Sequence, residues 1–142
     1  MYTALVPDRL VTVAELSKAY GISINHIMKI VHFLAQQGYL ETVRGKGGGM
    51  RLQRLPSEIN LGQLVRTTEV NDTLVECFDK ATSECRIDGH GCMICDVLRK
   101  AQHAFFEELS GHTLDDLLRR SDKMATALDL PIKPLTMFRE TV

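Results

Sequence analysis

Between Thr12 and Leu52 the chain carries two short helical signals a tight turn apart, followed at once by a glycine-rich hairpin. Few folds accept that order of elements. Thr12-Val13-Ala14-Glu15 fits a capping box, in which the hydroxyl and the carboxylate each satisfy amides of a first helical turn. The helix it opens, Val13 to Tyr20, buries Leu16 and stops at Gly21, a residue that accepts the left-handed conformation. Ser23 caps a second helix, along which Ile24, Ile27, Met28, Val31 and Leu34 recur on one face until Gly38 ends it. Two helices joined through Tyr20-Gly21-Ile22 make a helix-turn-helix.

The second helix leaves Asn25, His26, Lys29, His32 and Gln36 opposite its core stripe, groups able to meet base edges or phosphates. No acidic residue occurs from Ser23 to Gln37, whereas a merely solvated helix more often shows Glu–Lys pairs. A polar surface without a ligand is the alternative. Next, Tyr39–Val43 and Met50–Leu52 flank Arg44-Gly45-Lys46-Gly47-Gly48-Gly49, two β-prone segments around a basic turn. Arg44, Lys46 and Arg51 place cations on this hairpin, and Gly47 and Gly48 let its backbone approach a partner, as a wing approaches a phosphate backbone or minor groove. The run lacks Walker spacing and opens no helix, so it is not a nucleotide loop. The fold class is therefore mainly α with a small β-hairpin wing, a winged helix-turn-helix.

All four cysteines lie between Cys77 and Cys95, spaced C-x7-C-x6-C-x2-C, on a polar stretch punctuated by Gly89 and Gly91. Thiols gathered on one loop suit a metal or an iron–sulfur cluster; a disulfide or redox-active pair is the alternative. Only Cys92-Met93-Ile94-Cys95 is a CxxC, so the spacing is not that of a zinc finger. The net charge of -1 conceals an asymmetry: residues 1–54 carry seven Lys/Arg against three Asp/Glu, and residues 55–142 ten against fifteen. A basic head on an acidic body suggests polyanion binding by the first part, chance variation in solvated charge being the plainer reading. No apolar run approaches the ~20 residues of a membrane span, and no secretory signal opens the chain, so a reducing cytoplasm is expected. A small zinc-dependent enzyme using the cysteine loop and His90 is disfavoured, because no HExxH, HxE…CxxC or nucleophile motif occurs.

Tyr20-Gly21-Ile22-Ser23, Asn25-His26, Lys29, Gly38-Tyr39, Val43 to Gly49 and Arg51-Leu52 closely resemble the Rrf2 family of bacterial transcription regulators, from Met1 to about Leu118. The resemblance implies a dimeric winged helix with a long dimerisation helix, bound to operator DNA. It also implies, in several branches, an iron–sulfur cluster on three cysteines just before that helix. Cys77, Cys85 and Cys92 match those positions. Leu74 to Phe78 and Ala101-x-x-Ala104-Phe105-Phe106 look most like the nitric-oxide-responsive repressors, with the iron-responsive branch second. Either 2Fe–2S or 4Fe–4S nuclearity fits three thiolates. Family members usually extend further ahead of the position of Met1, and in at least one branch the partner's acidic residue from that segment completes ligation; the chain is thus expected to begin late. Cys95 is an additional thiol: a substitute ligand, a redox partner for Cys92 or a core residue. His90 is another candidate ligand, or an exposed loop residue.

The expected layout is a reading head over residues 1–54, a linking helix (Ile59 to Glu69) and connector over 55–76, and the cysteine loop over 77–95. A dimerisation helix and a short helix starting at Thr113 occupy 92–120, and a flexible tail 121–142. From Met93, apolar residues recur at Ile94, Val97, Leu98, Ala101, Ala104, Phe105 and Leu109, a stripe suited to packing against a second copy.

Overall fold

The computed structural model describes residues 1–69, 74–79, 81, 83–87, 90–119 and 121–130. Its elements in chain order are α1 (Tyr2–Leu5), α2 (Val13–Tyr20), α3 (Ile24–Gln36), β1 (Leu40–Val43), β2 (Gly49–Leu52), α4 (Leu61–Thr68), α5 (Met93–Ser110), α6 (Leu114–Leu118) and α7 (Ser121–Ala127). Short 3-10 turns occur at Pro56–Glu58 and Glu76–Phe78. The chain divides into two compact units, Asn60–Thr113 and the remainder.

The larger unit holds the winged helix. Thr12 and Glu15 form the expected capping box, the Thr12 amide donating to the Glu15 carboxylate at 2.7 Å and the Glu15 amide to the Thr12 hydroxyl at 3.2 Å. Gly21 caps α2 at φ 65°, where a Cβ would strain the turn. β1 and β2 pair antiparallel with Leu40 opposite Leu52 and Glu41 opposite Arg51. Val11 exchanges both backbone hydrogen bonds with Met50, at 2.9 and 2.8 Å, so the hairpin is anchored on its second edge. That close approach needs Gly49, since a Cβ there would stand 2.7 Å from the Val11 carbonyl oxygen.

The core of this unit joins Tyr2, Val11, Leu16, Ile27, Val31, Leu40 and Met50 with Ala125 and Leu130. The last two correct the expectation of a flexible tail from residue 121. Ser121–Ala127 is helical, and Asp129 turns left-handed at φ 53° so that the Leu130 amide reaches the Ala125 carbonyl at 2.8 Å. This stop returns Leu130 to the core. Residues 131–142 lie outside the described residues. A second correction concerns α3: Ile27 and Val31 are buried, but Ile24 and Met28 are 50 % and 53 % exposed. Met28 sits at the margin of the apolar arc and Ile24 is the first residue of the helix, and the elements packed on α3 cover neither.

In the smaller unit, α4 begins at Leu61, two residues later than expected. Ile59 is occupied by accepting the Leu114 amide at 2.9 Å, and Asn60 becomes the cap, its Oδ1 accepting from the Gln63 amide at 3.0 Å. Asn60 Nδ2 also donates to the Ser110 carbonyl at 2.7 Å, tying the start of α4 to the end of α5. Further along, the Arg66 guanidinium lies 3.9 Å from the centre of the Phe106 ring.

Candidate nucleic-acid interface and cysteine loop

α3 presents Asn25, His26, Lys29, His32 and Gln36 to solvent, as the sequence suggested. Ser23 serves the helix itself, its Oγ accepting from the His26 amide at 3.3 Å as the N-terminal cap. Ile24 and Met28 flank this polar face. Sequence reasoning assigned both to the core, and only Met28's angular position and Ile24's place at the start of the helix hinted otherwise. Exposed apolar side chains beside amide and cationic groups can meet thymine methyls in a major groove.

On the wing, Gly45 and Gly47 adopt φ 99° and 79°, and the Gly48 amide donates to the Gly45 carbonyl at 2.9 Å. A Cβ on Gly48 would meet the carbonyls of Val43 and Gly45, which explains the unbroken glycines after Lys46. Arg44 and Lys46 are exposed. Arg51 is engaged, its Nε donating to the Glu41 carboxylate at 2.8 Å across the strand pair. That hydrogen bond first, and the opposite charge second, hold the Glu41 carboxyl below its ordinary range and raise Arg51 correspondingly.

The cysteine loop brings two of its four thiols together. Cys77, on the 3-10 turn, and Cys95, in the first turn of α5, are buried with their sulfurs 3.4 Å apart. Cys85 and Cys92 are only half-buried; the Cys85 amide donates to Ser83 Oγ at 3.4 Å, and Cys92 is the residue from which α5 starts. Among the described residues no three His, Cys, Asp or Glu side chains are grouped closely enough to hold a metal ion. His90 is exposed. Four thiols therefore suit an iron–sulfur group by donor chemistry, while in this conformation the convergent pair is Cys77 with Cys95. Sequence reasoning also missed Arg99, whose Nη2 donates to the Cys95 sulfur at 3.4 Å and whose guanidinium lies 5.3 Å from the centre of the Phe78 ring.

α5 turns little of its apolar stripe inward. Its buried residues are Cys95 and Phe106, while Met93, Ile94, Val97 and Phe105 are exposed, Met93 at 79 %. No helix among the described residues is long and apolar enough to cross a membrane.

A helix-turn-helix followed by a cationic, glycine-turned hairpin defines a winged-helix DNA-binding regulator. The chain belongs to the Rrf2 family, whose profile, described as an iron-dependent transcriptional regulator, matches residues 1–120. It is 40 % identical over 131 residues to the HTH-type transcriptional regulator NsrR of Halalkalibacterium halodurans, covering 92 % of this chain and 89 % of that protein. With NsrR of Bacillus subtilis the identity is 39 % over 124 residues, covering 87 % and 84 %. Among solved structures, T. potens IscR matches with a TM-score of 0.65 at 19 % identity, covering 96 % of this chain and 84 % of that one. CymR of B. subtilis matches with a TM-score of 0.59 at 20 % identity, covering 81 % and 82 %. At those identities the structural likeness speaks for the fold. The relatives are transcriptional regulators rather than enzymes.

Proposed function

We propose that this chain is a homodimeric transcriptional repressor of the NsrR kind, in which an iron–sulfur cluster held by Cys77, Cys85 and Cys92 makes operator binding responsive to nitric oxide. The observation that carries the reading is the confinement of all four thiols to one short loop in a chain near 40 % identical to NsrR proteins. Cys95 suits the fourth ligand position better than the exposed His90, because its sulfur already lies beside that of Cys77. When bound, the cluster would supply iron that reacts with nitric oxide. The chain's own contribution is to gather soft thiolates on one short loop. Only a difference in DNA affinity between loop states would make it a sensor.

For DNA, Asn25, His26, Lys29 and His32 would face the major groove, with Ser23 ordering the first turn behind them. Arg44, Lys46, Gly47, Gly48 and Arg51 would lie along the flanking backbone. The exposed stripe of α5 would pack against the second copy, spacing two reading helices over a palindromic site. The family description as iron-dependent favours a second reading, in which cluster occupancy reports iron supply. Anaerobic purification, iron and sulfide analysis, and operator binding before and after nitric oxide or chelator test both readings. A brown protein that loses operator affinity at low nitric oxide equivalents supports the first, and one that responds only to iron withdrawal supports the second. Equal operator affinity with and without the cluster would dispose of sensing altogether.

A further inference from the structure

Cys77 and Cys95 are separated by the whole loop, yet their buried sulfurs stand 3.4 Å apart. The turn Glu76–Phe78 delivers one and the first turn of α5 the other. Arg99 holds these two pieces together: its guanidinium covers the Phe78 ring, donates to the Cys95 sulfur and pairs with Asp96 at 3.2 Å. A disulfide needs about 2.05 Å between sulfurs, so closure requires an approach of roughly 1.4 Å, within reach of side-chain rotation and a small shift of a three-residue turn. The sequence-adjacent pair Cys92 and Cys95 is the obvious partner set for a CxxC, but Cys95 contacts Cys77 instead.

We propose that Cys77 and Cys95 form a specific disulfide-forming site in the cluster-free chain, with hydrogen peroxide as the oxidant. One of the two sulfurs attacks a peroxide oxygen; the O–O bond breaks, water leaves after protonation, and that cysteine becomes a sulfenic acid. The neighbouring sulfur then attacks the oxidised one, the S–O bond breaks, the S–S bond forms and a second water leaves. Two thiols lose two electrons and two protons, and hydrogen peroxide is reduced to two waters. A small oxidant matters because both sulfurs are buried, whereas the bulkier disulfides of a thiol buffer reach half-buried Cys85 and Cys92 more readily. The site concerns the chain without iron and stands whether or not a cluster is ever loaded.

The test uses the full chain freed of metal with chelator, exposed anaerobically to stoichiometric hydrogen peroxide, and then treated with N-ethylmaleimide. Trypsin places Cys77 in peptide 67–80, Cys85 in 81–86, and Cys92 with Cys95 in 87–99. The expected product is a reducible cross-link between 67–80 and 87–99, with fragmentation locating maleimide on Cys92. It should persist in Cys92→Ser and vanish in Cys95→Ser. A loop closed within 87–99, a link to 81–86, a cross-link surviving Cys95→Ser, or no disulfide at all overturns the assignment. Should Cys95→Ser fail to fold, the maleimide position in the wild-type cross-link decides the question alone.

Discussion

Gly62 lies buried in α4 where that helix meets the end of α5, and replacing it by alanine sets two effects in opposition. Alanine is favoured over glycine by about 1 kcal/mol in a helix interior, an upper bound at Gly62, the second residue of its helix. Here, however, the added Cβ would clash with Ser110 Oγ and come within 2.9 Å of the Ser110 amide nitrogen and 3.0 Å of its Cα. The hydroxyl can rotate away, but the backbone of Ser110 can retreat only by shifting the end of α5, which Asn60 holds through the Ser110 carbonyl. Overpacking of this kind costs about 1–3 kcal/mol, toward the upper half where backbone must move. The net expectation is a loss of about 1–2 kcal/mol. Urea unfolding of Gly62→Ala, Ser110→Ala and the double variant measures it through the midpoints at constant slope. Ser110→Ala should be mild alone, since it removes one hydrogen bond to the Phe106 carbonyl, and should recover part of the loss in the double variant. If Gly62→Ala proves more stable than wild type, helix propensity has won and the packing argument is wrong.

Lys46→Ala should lower the slope of log K against log salt for operator binding by about 0.9, the signature of one lost phosphate contact. Glu41→Gln should steepen that dependence and tighten binding by releasing Arg51 from its cross-strand partner; unchanged slopes in both would remove the wing from the DNA interface. Hydrogen bonding from Thr12, aided by Arg9, holds the Glu15 carboxyl below its ordinary range. The stabilisation this lends is complete above the unfolded value of about 4.3 and disappears as pH falls through the lower folded value. Urea midpoints against pH should therefore drop less on acidification in Glu15→Gln, and parallel acid limbs would contradict the cap assignment. Met50, 2 % exposed and fully enclosed in the winged-helix core, should lose about 2–5 kcal/mol on truncation to alanine, readable in the same unfolding assay.

Local chemistry makes the winged helix legible in the sequence. The Thr12 and Ser23 caps, the Gly21 stop and the basic glycine turn each need only near neighbours in the chain, so their residue types announce them. The exposed polar face of α3 follows from helical periodicity, though the edges of its apolar arc do not. Whether Ile24 and Met28 are covered depends on which elements pack on either side, a fact absent from a single helix's pattern.

The cysteines divide along the same line. Their confinement to one loop, and the soft-donor chemistry that follows, belong to the sequence itself. Which sulfur meets which does not: spacing offers Cys92 with Cys95 as one alternative, whereas α5 and the Glu76–Phe78 turn, held by Arg99, bring Cys77 to Cys95. The same reason hides the role of residues 121–130, whose short and weakly periodic helix is stabilised by the winged-helix core that receives Ala125 and Leu130. Sequence determines contacts between near neighbours because propensity and capping act over a turn or two. Contacts between distant segments are decided only when the whole chain has chosen which apolar surfaces to bury.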